Sequence, residues 1–156
     1  MNKLSYEQAL HRLATYCSRA ERCVWDVRRK MDAWEIPYEQ QNSIVEQLRK
    51  EQFLDEARYC KAFVNDKAKY NRWGIHKIRF ELGKRQIPET LIREALENLD
   101  ADETREHLRL LIERKKKTVK GKNDREIRQK LLRFAASRGF SSKDIESVLG
   151  AVTSDE

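Results

Sequence analysis

Apolar side chains recur along the chain at intervals of three and four residues. Val24, Val27 and Met31 share one face of a helix in this way, and Ile75, Ile78 and Leu82 repeat the pattern further on. Such spacing is typical of amphipathic α-helices, whose apolar stripe packs against a core. We therefore predict an all-α protein.

The helical pattern itself repeats. Ile36-Pro37 is followed 51 positions later by Ile87-Pro88, and neighbouring apolar positions keep the same offset. A third copy follows at an offset of 53, where Ile78, Ile87 and Leu96 correspond to Leu131, Phe140 and Leu149. A period near 50 residues indicates a stacked array of helical units. We predict an elongated, right-handed array of three tandem three-helix repeats, at residues 1–52, 53–100 and 101–156, the third with a basic loop.

Local sequence signals predict where several helices begin and end. Ser5 with Gln8, and Ser18 with Glu21, match the capping box that starts a helix. Asp55 is a candidate N-cap, Pro37 suits a first helical turn, and Gly139 predicts a stop.

The composition supports helices and a thin core. Of the 156 residues, 39% are apolar and 38% charged, with 5 glycines and 2 prolines. A unit of about 50 residues is marginally stable alone, so we expect the repeats to support one another within a monomer. No apolar stretch reaches the roughly 20 residues that span a bilayer, and the N-terminus lacks a secretory apolar region. We expect a cytoplasmic protein without a membrane partner.

Cysteine and histidine give no pattern for a metal or a reaction. Cys17, Cys23 and Cys60 form no CxxC pair, and all three fall in predicted helices, where we expect ordinary packed or surface thiols. The three histidines are far apart, and the chain has no glycine-rich phosphate loop, HExxH or GxSxG motif. We predict no metal, no cofactor and no enzymatic activity.

Positive charge is concentrated near the C-terminal end. The net charge is +7, and residues 109–138 hold 12 basic side chains against Glu113, Asp124 and Glu126. Four adjacent cations cannot share one helix face, so a helix should end there in a loop. The candidate nucleic-acid-binding residues are Arg114, Lys115, Lys116, Lys117, Lys120, Lys122, Arg125, Arg128 and Lys130.

Two interpretations of this basic run remain open. A solvated helix C-terminus carries cations because they complement the helix dipole. A polyanion contact carries them because they displace counterions from phosphates. Because phosphate contacts read no sequence, we expect DNA binding with little base preference.

The aromatic residues also allow two interpretations. Rings beside cations stack on unpaired bases in many single-strand-binding proteins, but aromatic residues fill cores more often. We expect Trp25 to be structural. Tyr70 and Trp73 fit either role, because Lys67, Lys69 and Arg72 interleave with them.

The segment starting at Phe53 resembles the second repeat of the RecX family, bacterial regulators of the RecA recombinase. The matching pattern is an apolar residue, an acidic pair, a tyrosine, a glycine after a basic stretch, an apolar helix and a turn before the last helix. Its residues here are Phe53, Asp55, Glu56, Tyr59, Gly74, Ile78, Leu82 and Ile87. The chain departs from the pattern at Cys60, where alanine is usual, and at Gln86 and Glu35, which replace the turn glycine. We expect these motif residues to be structural.

The resemblance implies a non-enzymatic modulator. Members of this family lie in the groove of the RecA–single-stranded-DNA filament and inhibit its ATP hydrolysis, strand exchange and coprotease activity, in DNA repair, recombination and the SOS response. The implied partners are the RecA filament and single-stranded DNA, with double-stranded DNA left open. The alternatives are a generic helical nucleic-acid-binding module that acts without RecA, and a helical peptide scaffold, although the period differs from the 34 residues of TPR repeats.

Overall fold

The computed structural model describes residues 3–153, which form nine α-helices and no strand. Short turns and loops join them. The helices are α1 Tyr6–Arg19, α2 Val24–Ala33, α3 Tyr38–Lys50, α4 Glu56–Lys69, α5 Ile75–Lys84, α6 Glu89–Glu97, α7 Ala101–Lys116, α8 Asp124–Ser137 and α9 Ser142–Thr153. The all-α prediction is confirmed, and the chain is a helical repeat array. The predicted elongated, right-handed shape and the boundaries of three separate repeat domains stay predictions.

One turn recurs with the period of the sequence. After α2, the Glu35 N–H donates to the Asp32 carbonyl and the Ile36 N–H donates to the Met31 carbonyl, both at 3.0 Å. This pair of bonds is a Schellman motif, which needs a left-handed residue after the helix. Glu35 has φ 58° for that reason. The second of these bonds, from Ile36 to Met31, has two counterparts. After α5 the Ile87 N–H donates to the Leu82 carbonyl, and after α8 the Phe140 N–H donates to the Ala135 carbonyl.

The three left-handed residues of these turns are Glu35, Gln86 and Gly139, with φ of 58°, 58° and 92°. Glycine adopts this conformation without steric cost, whereas other residues pay for it. Glu35 and Gln86 are thus two of the departures from the family pattern, and the turn forms in spite of them.

The helix starts confirm two of the three predicted caps. Ser5 and Gln8 form a complete capping box, and the Arg58 N–H donates to the Asp55 carboxylate at 3.0 Å. The prediction at Ser18 was wrong.

Ser18 lies inside α1, and its hydroxyl donates to the Thr15 carbonyl at 2.7 Å. Serine often bonds back to its own helix in this way. α2 begins later, after Cys23, whose N–H donates to the Asp26 carboxylate at 3.0 Å. Cys23 therefore precedes a helix instead of lying in one, which corrects the prediction for that residue.

All three thiols are free and buried, so of the two expected roles, packed or surface thiols, the structure shows the packed one. Burial disfavours the charged thiolate. It raises the pKa of Cys17 and Cys60 to about 11 and that of Cys23 to about 12.

The helices pack into two compact units. The first unit runs to Ala62 and includes Leu82–Ile92; the second comprises Phe63–Glu81 and continues from Arg93. The buried core of the first unit includes Ala9, Leu13, Val27, Met31, Ile44, Val45, Leu48 and Leu54. The core of the second includes Leu108, Ile112, Leu131, Ala135, Phe140, Ile145, Val148 and Leu149.

In the second unit, two glycines let the start of α5 approach the turn after α8. The Gly74 N–H donates to the Arg138 carbonyl at 2.7 Å, and the His76 N–H donates to the Gly139 carbonyl at 2.8 Å. A Cβ added to Gly74 would lie 2.5 Å from the Gly139 oxygen, which is closer than real Cβ contacts. The carbonyls of one turn therefore satisfy free N–H groups of another helix start.

Candidate nucleic-acid interface

The basic run begins on the last turn of α7. This helix ends at Lys116 with Lys117 as its C-cap, and Arg114, Lys115 and Lys116 lie in its final turn. Cations at this end complement the helix dipole. The chain then passes through a loop to α8, whose N-cap Asn123 accepts the Glu126 N–H at 2.9 Å. The sequence prediction that the run leaves a helix for a loop is confirmed.

Helical geometry makes the cations of α7 diverge, because successive side chains lie about 100° apart. Lys115 turns toward α8, where its ammonium lies 5.2 Å from the ring centre of Phe134. The Arg138 guanidinium lies 5.1 Å from the same ring. Arg114 and Lys117 line a different surface, a cleft that also includes Arg72.

Two of the nine candidate cations have acidic partners. Arg128 Nη2 lies 3.2 Å from Glu146 Oε2, and Lys130 Nζ lies 3.5 Å from Glu126 Oε1. The Lys130 ammonium also donates to the Lys120 carbonyl, which ties the loop to α8. Exposed ion pairs of this kind contribute little stability, about 0–1 kcal/mol.

The remaining candidates are mostly exposed. Among the basic residues between positions 114 and 130, only Arg128 and Lys130 take part in the described ion pairs. The exposed cations are Arg114, Lys116, Lys117, Lys120, Lys122 and Arg125. They form a positive surface around the α7–α8 loop that can contact phosphates without a fixed geometry.

The residues at the start of α4 hold the first unit together. Phe53 is half-buried against the first core, and Glu56 Oε2 accepts the Val24 N–H at 3.4 Å. Tyr59 is buried, and its pKa is raised, chiefly by burial and then by the nearby Cys23.

The other motif residues are also in the interior. Ile78 and Leu82 are fully buried, and Ile87 is 5% exposed in the turn after α5. Gly74 makes the close backbone approach described above. None of these side chains presents a polar group to solvent, which is consistent with the structural role we predicted.

Models of two RecX family domains match this chain. The model described as "RecX, second three-helix domain" matches residues 55–96, and "RecX, third three-helix domain" matches residues 102–149. Together they cover more than half of the chain. The chain belongs to the RecX family.

Individual relatives agree with this assignment. A regulatory protein RecX of Clostridium tetani is 32% identical over 68% of this chain and 49% of its own length. That of Prosthecochloris aestuarii is 26% identical over 96% of both chains. A crystal structure of a regulatory protein RecX superposes with a TM-score of 0.87 at 24% identity, covering 93% of this chain and 73% of the other, which shows the shared fold. The chain thus spans about half the length of several curated relatives it matches.

The aromatic residues differ in exposure. Tyr38 and Tyr70 are 66% and 72% exposed. Trp25 is half-buried, with the guanidinium of Arg29 at 4.6 Å from its ring centre. Trp73, which lies in the second RecX domain, is half-buried beside Lys67 and packs edge-on against Phe63 at 6.3 Å.

The cleft that contains Arg114 and Lys117 was not predicted from the sequence. Its other basic residue, Arg72, is 42 positions away from Arg114 along the chain. In the sequence pattern, Arg72 is notable only as a basic neighbour of Tyr70 and Trp73. The available indication was Leu110, an apolar residue of α7 that lies outside the stripe of its buried residues Leu108 and Ile112.

In the described part of the chain, no cluster of histidine, cysteine and acidic side chains has the arrangement of a metal site. None of the helices in that part is long and apolar enough to cross a bilayer.

Proposed function

We propose that this RecX family member regulates the RecA recombinase by binding the RecA–single-stranded-DNA filament along its groove. On this proposal it suppresses ATP hydrolysis, strand exchange and coprotease activity, and it acts in the cytoplasm as a monomer. The observation that carries the proposal is the match to the second and third three-helix domains of RecX. The relatives are named regulatory proteins, which favours a role without catalysis.

The helical array suits a filament partner. A chain of similar units makes several weak contacts with successive protomers of a repeating lattice, and linked contacts raise the overall affinity far above each single one. Inhibition should therefore depend on the repeats acting together.

The exposed cations around the α7–α8 loop supply a DNA contact within this proposal. Lys116, Lys120 and Lys122 project from a helix end and a loop, where they reach phosphates without displacing an acidic partner. Contacts of this type depend on salt because each releases counterions.

The test is the ATPase activity of the cognate RecA on saturating single-stranded DNA, with this chain titrated in. We expect the rate to fall as the chain is added, and preformed filaments to retain the chain in a pull-down. No inhibition at concentrations that bind DNA would refute the proposal.

A second candidate function is nucleic-acid binding without RecA, which the basic loop favours. The two candidates differ when free single-stranded DNA is added in excess. A filament regulator still inhibits, because it recognises RecA on DNA. A plain DNA binder is drawn away to the free strands, and its inhibition disappears.

A further inference from the structure

A cleft in the second unit lies beside the basic run. Its volume is about 290 Å³, near the lower end of ligand pockets, which is roughly 300 Å³. It therefore has room for an anchoring side chain and not for a large cofactor. Its lining residues are Arg72, His107, Leu110, Leu111, Glu113, Arg114 and Lys117.

Part of this cleft is apolar. Leu110 is 44% exposed, one of few large apolar side chains with such exposure in the described residues, and Leu111 beside it is half-buried. A leucine offers neither a hydrogen bond to a phosphate nor a flat ring for a base. Exposed apolar surface with a polar rim is typical of protein contacts.

The rim of the cleft is positively charged. Arg72, Arg114 and Lys117 contribute three cations. The carboxylate of Glu113 is already bound by Arg109, whose Nη1 lies 2.6 Å from its Oε1. The pKa of His107 is lowered by burial and by the charge of Arg72, although Glu103 opposes this.

The backbone fixes Arg72 at this rim. The Trp73 N–H donates to the Lys67 carbonyl at 3.0 Å, which closes the end of α4. Arg72 occupies the left-handed position of that turn, with φ 56°. Glycine would suit this backbone better than arginine, so the side chain can be removed without straining the turn.

We propose that this cleft docks an acidic peptide segment of a partner protein, which inserts an aliphatic or aromatic side chain against Leu110. Carboxylates of the segment pair with Arg72, Arg114 and Lys117. The exposed Leu110 and the half-buried Leu111 favour a peptide over a nucleic acid, and the charge selects an acidic one. The inference does not depend on the RecA proposal, since peptide docking is measured without RecA.

The experiment measures fluorescence anisotropy of labelled probes with the full chain at fixed ionic strength. The first probe is a short peptide of aspartate and glutamate that carries one leucine and one phenylalanine four positions apart, so that both lie on one helix face. The second has serine at those two positions and the same charge. The third is a single-stranded oligothymidylate.

The variants separate the cleft from the loop. Leu110→Ser removes the apolar contact from an exposed position, and Arg72→Gly removes a rim cation at a backbone position that favours glycine. Lys120→Ala with Lys122→Ala changes the loop instead, and Lys61→Ala on α4 is a control for the loss of one exposed cation.

We expect Leu110→Ser to weaken the apolar acidic peptide about tenfold, the scale of losing one buried side-chain contact, and Arg72→Gly to weaken it about fivefold, the upper scale of one exposed ion pair. Their effect on the oligothymidylate should stay within about twofold of the Lys61→Ala control. The loop variant, Lys120→Ala with Lys122→Ala, should instead weaken oligothymidylate binding more than peptide binding.

Three results would overturn the proposal. Equal affinity for the apolar peptide and its serine counterpart would show that Leu110 receives no side chain. A loss of oligothymidylate binding as large as the loss of peptide binding would make the cleft a phosphate site. The absence of saturable peptide binding would exclude a peptide site of this kind. Neither failure of RecA inhibition nor its success alters these readings.

Discussion

Replacing Gly74 with alanine tests the backbone contact between α5 and the turn after α8. Gly74 does not have a left-handed φ, so alanine is compatible with its own backbone. The added methyl group, however, would lie 2.5 Å from the Gly139 oxygen and nearer still to the Phe140 nitrogen. Both obstacles are main chain and cannot rotate away. The two segments must separate.

Separation has a calculable cost. It breaks the bonds from the Gly74 N–H to the Arg138 carbonyl and from the His76 N–H to the Gly139 carbonyl. Each bond contributes about 0.5–1.5 kcal/mol, and overpacking of an interior costs about 1–3 kcal/mol. We expect Gly74→Ala to lower the free energy of unfolding by about 2–6 kcal/mol.

Gly83, in the last turn of α5, provides a matched control. A Cβ added there meets nothing within 4 Å, and alanine in a helix is more stable than glycine by about 0.5–1 kcal/mol. Gly83→Ala should therefore stabilise the protein while Gly74→Ala destabilises it.

Urea denaturation followed by circular dichroism measures both variants. A thermal melt should separate them by about 2–4 °C per kcal/mol, the scale for a chain of this size. Amide exchange at Gly74 and His76 should accelerate in Gly74→Ala well beyond its effect elsewhere. If the two variants have equal stability, the close backbone approach does not exist in solution.

Three further outcomes are expected. Gln86→Gly should raise the free energy of unfolding by about 1 kcal/mol in urea denaturation, because φ is 58° there; a loss would contradict the turn. Replacement of Lys116, Lys120 and Lys122 by glutamate should reduce the slope of log K against log salt concentration for single-strand binding by about two, whereas three such replacements elsewhere on the surface should leave the slope unchanged. Stability should fall above about pH 9, since the unfolded chain ionises thiols while the Cys23 pKa of about 12 keeps the folded thiol neutral; a flat profile in urea titrations up to pH 11 would refute this.

Much of the fold was predictable because its determinants are local or periodic. The Ser5 box and the Asp55 cap each involve groups within a few residues. The repeated turn was visible as an offset between Ile36 and Ile87, and the structure forms it at both places with the same φ. Short-range signals of this kind hold when no other element competes for the same groups.

The wrong cap at Ser18 shows where local signals fail. Its spacing to Glu21 is the same as that of Ser5 to Gln8, but Ser18 remains in α1 and bonds back to Thr15. Asp26 then caps α2 from inside the helix. Two overlapping start signals cannot be ranked without knowing where the preceding helix ends.

The exposure of the basic loop was predictable from its charge, but the separation of the basic run onto two different surfaces was not. A run of four cations has one sign along the sequence, and only helical geometry reveals that Lys115 and Arg114 face different neighbours. Arg72 joins Arg114 through the fold of the second unit alone. Contacts between residues so far apart leave no trace in a single sequence.

This division gives the two halves of the run different capacities. Arg114 and Lys117 lie beside Leu110 around a defined cleft, where recognition depends on the shape of what enters. Lys120 and Lys122 lie on a loop, where a phosphate contact needs charge more than geometry. Under the proposed function, the two kinds of contact together would let the chain distinguish a protein-coated strand from a bare one. Neutralising the loop should therefore affect bare and coated strands alike, whereas altering the cleft should affect only the coated strand.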